Sequence, residues 1–287
     1  MTEKLRLLAV FAHPDDESFG IGGTLAKYAA EGVKVSLICA TGGEEGEIND
    51  PSLGTREQIA EIRERELRCA CDVLGITELH LLGYRDSGMA GTPANEDPRS
   101  LVQADPHEVV GEIVHLVRQI RPQVVVTFEE GGGYGHPDHK ATHRHAKAAF
   151  YAAGDPTQYP GHLAEGLEPY APQKLYYTAF PRSVFQKLIQ KAKEIGLEPP
   201  ARYTDLESMG VPDEFCTTHV DISAYLEVQE RARQCHRSQL APDSLFTLIP
   251  EELRRQFTHT DCFACEGKML EEGECPADDL FEGLRWD

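Results

Sequence analysis

The sequence predicts an α/β fold: a Rossmann-like, three-layer α/β/α arrangement around a mostly parallel sheet, with a smaller C-terminal α+β region. Three observations carry this. Short apolar runs alternate with segments of helical period over residues 1–180. The runs are rich in Val, Ile and Leu without strict alternation, as in strands buried on both faces. A length of 287 residues with 40% hydrophobic side chains supports a large core and excludes a disordered or fibrous chain.

The elements follow in order. Strands are expected over Leu5–Ala12, Val33–Ala40, Glu78–Leu82, Gln123–Phe128 and Lys174–Phe180. Helices are expected over Gly22–Ala30, Arg56–Leu74, Pro106–Ile120 and His139–Ala153. The third helix has the clearest signal. Val109, Val110, Ile113, Leu116, Val117 and Ile120 make one apolar stripe. Asp105 suits the N-cap, Pro106 the first turn and Glu108 the third helical position, and Pro122 ends the segment. Gly20-Ile-Gly22-Gly23 lacks the spacing of a dinucleotide loop and reads as close helix–sheet packing. Residues 1–180 are taken as the core. Residues 181–287 form a looser region, with helices over Ser183–Gly196 and Ala224–Gln239 and strands over Phe215–Val220 and Phe257–Phe263. The tail Glu266–Asp287 has eight acidic and two basic residues and is expected to be a solvated surface segment.

The net charge of −20 repels phosphate backbones and anionic lipid, so neither nucleic acid nor a membrane surface is an expected partner. No apolar stretch reaches the roughly 18 residues that a membrane helix needs. The N-terminus lacks signal-peptide features, and the eight scattered cysteines read as reduced thiols. A cytoplasmic protein is the resulting expectation.

Parallel sheets bind ligands beyond the carboxyl ends of their strands, where strand order reverses. In a Rossmann-like order this crevice lies between the first and fourth strands. The first loop, Ala12-His-Pro-Asp-Asp-Glu17, packs one imidazole and three carboxylates together, a cluster that a divalent cation would stabilise. An acidic helix start explains Asp15 and Asp16 but not His13. The fourth loop, Gly131 to His139, adds glycines and then His136, Asp138 and His139, with His143 further along the same helical face. By spacing, either His136 with His139 or His139 with His143 suits a metal. Cys262, Cys265, Cys275 and His259 lack a second Cys-x-x-Cys and are discounted as a structural zinc site.

Taken together, Ala12-His-Pro-Asp-Asp-Glu17 and His136-Pro-Asp-His139 resemble the signature of the LmbE/PIG-L family of zinc-dependent N-acetylglucosamine deacetylases. Gly43-Glu-Glu-Gly-Glu47, Arg85-Asp-Ser-Gly-Met-Ala-Gly91 and Gly132-Gly-Tyr-Gly135 resemble its mycothiol branch, which holds a GlcNAc-inositol deacetylase and the mycothiol S-conjugate amidase. The resemblance implies one catalytic Zn²⁺ (or Fe²⁺) on His13, Asp16 and His139, with Asp15 as general base. It implies His136 as oxyanion stabiliser or general acid, Asp138 as its orienter and Tyr134 as a mobile residue near the carbonyl. Arg63, with Arg65 as competitor, and Asp86 would hold sugar or inositol hydroxyls. Either Asp15 or His136 would protonate the leaving amine. Cys235-His-Arg-Ser-Gln239 resembles a C-terminal helix segment of the same family, and His236 has no assigned role.

The implied activity is removal of acetate from a GlcNAc glycoside of inositol or malate type, in low-molecular-weight thiol synthesis. The amidase is its alternative within the enzyme class. A non-catalytic, metal-dependent sugar-binding protein is the alternative outside it, but such a module has no use for Asp15. The expected partner is a small amino sugar; homo-oligomerisation is left open.

Overall fold

The computed structural model describes residues 4–197, 210–241, 248–271 and 273–284. Five parallel strands form where apolar runs predict them: β1 (Arg6–Phe11), β2 (Lys34–Thr41), β3 (Glu78–Tyr84), β4 (Val124–Phe128) and β5 (Lys174–Ala179). The sheet order is β3-β2-β1-β4-β5, extended by β7 (Thr260–Cys265) and then β6 (Thr218–Asp221). The last two strands add antiparallel, with Tyr176 opposite Cys265 and Val220 opposite Asp261. The C-terminal strands therefore extend the same sheet.

Side chains alternate across the sheet with period two. Leu7, Ala9 and Phe11 face one layer, made by α1 (Asp16–Gly20), α2 (Gly22–Ala30), α3 (Ile59–Leu74) and α8 (Leu226–Cys235). Leu8 and Val10 face the other, made by α4 (Pro106–Ile120) and α5 (Pro137–Ala152). Each buried aliphatic side chain contributes roughly 1.5–3 kcal/mol. Three further helices are α6 (Pro160–Ala164), which packs on α4 through His162 and His115, and α7 (Arg182–Glu194) and α9 (Glu251–Phe257), which share a small core around Phe185, Ile189 and Ile249.

Helix α4 starts as its sequence dictates. Asp105 Oδ1 accepts from the His107 N–H at 2.8 Å, and Arg121 closes the helix in a left-handed conformation.

Three expectations need correction. Cys69 on α3 and Cys235 on α8 are joined as a disulfide, so not all thiols are free. The glycines of α2 allow close packing, but a Cβ at Gly23 would collide with Ile222 of the C-terminal region rather than with the sheet. The acidic tail is not wholly solvated. Leu280 and Phe281 are buried, Ala277 pairs with Thr217 and His219, and Phe281 meets the Tyr28 ring edge-on at 5.1 Å. Two apolar residues among the acids anchor it. Trp286 lies outside the described residues.

Candidate metal centre and active site

Strands β1 and β4 are direct neighbours, with Leu7 opposite Val124 and Ala9 opposite Val126. The loops that leave them therefore emerge side by side. One delivers His13 to Asp16 at the start of α1; the other delivers His136, the N-cap of α5, and His139 in its first turn.

His13 Nδ1 and His139 Nε2 face each other at 3.2 Å. The Asp16 carboxylate lies 3.6 Å from the first and 3.3 Å from the second. The far nitrogen of each ring is already committed. His139 Nδ1 is 3.1 Å from the Gly132 carbonyl, which can only accept, so Nε2 offers a lone pair. His13 Nε2 is 3.2 Å from Asp138 Oδ2 and 3.5 Å from Asp86 Oδ1, so Nδ1 likewise offers a lone pair. Two lone pairs thus face one another in a buried site, with Asp16 Oδ2 near His13 and Asp16 Oδ1 near His139, an arrangement that is repulsive without a cation. The 3.2 Å between the two ring nitrogens matches the edge of about 3.3 Å of a tetrahedron whose ligands stand about 2.0–2.1 Å from its centre. The donor set suits a first-row divalent ion such as zinc. Among the described residues, the side chains close enough to share one ion fall into two groups, His13 with His136 and His139, and His13 with Asp86, His136 and Asp138; Asp16 flanks them without belonging to either. Among the described residues, no potential metal group contains Cys262, Cys265, Cys275 or His259.

Asp15 lies beside this point in a backbone conformation with φ 130°, which a residue with a side chain rarely adopts and which costs about 1–3 kcal/mol. Arg63, buried on α3, holds it there. Its guanidinium donates to the carbonyls of Pro14 (2.6 Å) and Gly43 (2.8 Å) and to Asp15 Oδ2 (3.1 Å). Arg65 is exposed on another face of α3. Burial raises the Asp15 carboxyl to about 6, against the opposing pull of Arg63.

His136 Nδ1 accepts from the Asp138 N–H at 3.2 Å, which leaves its proton on Nε2. Burial is the largest cause of a pKa pushed down to about 4, so His136 is a neutral donor at pH 7. The Asp138 carboxylate orients His13, not His136; it accepts from the Ser87 N–H at 2.8 Å and from the Ser87 hydroxyl. Asp86 is also turned inward, accepting from the N–H groups of Gly88 (2.8 Å) and Glu45 (3.2 Å). Tyr134, on the glycine loop, is exposed and meets the His139 ring edge-on at 5.1 Å. His143 turns away and bonds the Phe128 carbonyl at 2.8 Å.

Sequence reasoning missed Ser87, although it lies in the Arg85–Gly91 stretch, and Phe128, whose ring stacks on His139 at 4.0 Å. It left His236 unassigned. That side chain is fully buried, with Nε2 2.7 Å from Glu17 Oε1.

Comparison with known proteins places the chain in a family. The family description "PIG-L: GlcNAc-PI de-N-acetylase" matches residues 8–150, the span that holds both loops. The chain is 40% identical over 296 residues to the 1D-myo-inositol 2-acetamido-2-deoxy-alpha-D-glucopyranoside deacetylase of Geodermatophilus obscurus, covering 99% of each chain. It is 37% identical to the mycothiol S-conjugate amidase of Streptomyces coelicolor, again over 99% of each. Its fold resembles the N,N'-diacetylchitobiose deacetylase of Pyrococcus horikoshii, with a TM-score of 0.62 at 21% identity over 91% of this chain and 83% of the other. Full-length likeness and the paired His/Asp loops lead to the same conclusion: the chain belongs to the PIG-L family.

Proposed function

We propose that the protein is a zinc-dependent hydrolase that removes acetate from an N-acetylglucosaminyl glycoside, with GlcNAc-inositol as the leading substrate. The observation that carries this reading is the convergence of His13 Nδ1, His139 Nε2 and the Asp16 carboxylate beside a clamped Asp15. Relatives named as deacetylases of that glycoside support the substrate class.

His13, Asp16 and His139 would hold the ion. When bound, zinc supplies Lewis acidity, acidifying water and polarising the amide carbonyl. Asp15 takes the proton of the attacking water and is placed to hand it on. The His136 Nε2–H donates to the carbonyl oxygen as negative charge develops there. The leaving amine then receives a proton from Asp15 or His136. Arg63 acts chiefly by holding Asp15 and the Gly43 loop, although substrate hydroxyls at the rim remain within its role. Asp86 places loop 86–91 and supports His13. The C-terminal region would complete one wall of the pocket.

The test is acetate and free-amine release from GlcNAc-inositol, GlcNAc-malate, chitobiose and GlcNAc, with a chelated control. Chelator-sensitive release from one glycoside is expected. Absence of release from all four by metal-loaded protein overturns the deacetylase reading. The Streptomyces coelicolor relative makes cleavage of a cysteinyl amide the second reading, tested with a thiol-conjugate substrate.

A further inference from the structure

Asp15 is held by Arg63 through its carboxylate and the preceding Pro14 carbonyl, and through its own carbonyl by the N–H groups of Ser18 and Phe19, both at 3.0 Å. In addition, Glu17 Oε2 accepts from the Asp15 N–H at 3.1 Å. Glu17 is almost fully buried; its other oxygen accepts from the Ser18 hydroxyl at 2.5 Å and from His236 Nε2 at 2.7 Å. His236 is itself fixed by both of its flanks. Cys235 is joined to Cys69 of α3, and Ser238 donates from its N–H (2.8 Å) and hydroxyl (2.6 Å) to Glu66 of α3. The Nδ1 of His236 is buried with no partner, which places the ring proton on Nε2, facing Glu17. A relay of 219 residues' separation thus ends on the amide of the one residue near the site with φ 130°.

We propose that His236 is a positioning residue for the hydrolysis: through Glu17 it holds Asp15 in its left-handed conformation, so that a residue outside the family-matched span sets turnover. The inference rests on the reading of Asp15 as base. His236 does not touch the reacting atoms, so its loss affects kcat rather than KM. Truncation of a hydrogen bond to a charged group predicts a loss of roughly ten- to a hundredfold.

The experiment compares wild type with His236→Ala, His236→Gln, Glu17→Gln and Asp15→Asn in the full chain. It reads kcat and KM on the glycoside found above, bound zinc, and exchange of the Asp15 amide by NMR. His236→Ala is expected to lower kcat ten- to a hundredfold at unchanged zinc content and KM within about twofold, and to speed Asp15 amide exchange. Glutamine, whose amide can reach as His Nε2 does, is expected to restore most of the rate. Combining His236→Ala with Glu17→Gln is expected to cost little more than either alone. An unchanged kcat and unchanged exchange in His236→Ala overturns the proposal. So does a variant that loses zinc or melts and is not restored by glutamine, because the residue is then structural. Asp15→Asn separates the two readings: full turnover in that variant sinks Asp15 as base, whereas an inactive Asp15→Asn beside a fully active His236→Ala sinks only the role of His236.

Discussion

Replacing Cys69 and Cys235 together by serine removes a link between residues 166 apart in sequence. In the chain-entropy description, closing a loop of that length lowers the entropy of the unfolded chain by an amount worth about 5 kcal/mol, and measured bridges commonly contribute about 2–4 kcal/mol. Total stabilities run about 5–15 kcal/mol, so the bridge carries a substantial share. For 287 residues the unfolding entropy is about 0.6 kcal/mol/K, and a loss of 2–4 kcal/mol lowers Tm by about 3–7 °C. Cys69 lies on the exposed flank of α3, so a dithiol in solution can reach the bridge. The assay is thermal and urea unfolding of wild type and the double variant, each with and without dithiothreitol. Reduction should bring wild type down to the variant and leave the variant unchanged. The reasoning is refuted if unreduced wild type, unfolded in guanidinium, titrates eight free thiols and melts with the variant in every condition.

Three other outcomes follow from the site. Asp15→Asn should lower kcat by about 10²–10⁴ while zinc content stays at the wild-type level, measured by single-substrate kinetics and metal analysis. Activity should fall as pH drops through the Asp15 pKa, because protonation removes the base; burial sets that value near 6 and a bound cation lowers it, so an acid limb centred above 7 would contradict the assignment. Gly43→Ala places a Cβ against the Arg63 guanidinium at a residue with φ 68°, and should cost about 1–2 kcal/mol of stability by urea unfolding and lower kcat by loosening Asp15.

Much of this was legible before any coordinates. The five parallel strands form at the expected runs, with β2 ending one residue and β3 two residues later than expected; for β1, β2 and β4 the reason is that a strand buried on both faces must be apolar almost throughout, a local property of Val, Ile and Leu. The meeting of His13 with His139 followed from topology, since loops leaving β1 and β4 are neighbours in the predicted order.

Tertiary structure decided what depends on distant partners and on which face of a helix turns inward. Periodicity could not tell that Arg63 would bond three groups near Asp15 while Arg65 stayed outside, nor that the Asp138 carboxylate would serve His13 instead of His136. The pairing of Cys69 with Cys235, the burial of Leu280 and Phe281 and the hydrogen bond from His236 to Glu17 join segments far apart in sequence. Residue types announced the chemistry of the two loops, because a cation site needs particular donor atoms close together. The supports that hold those donors in place rest on long-range packing, for which a single sequence carries no local signal.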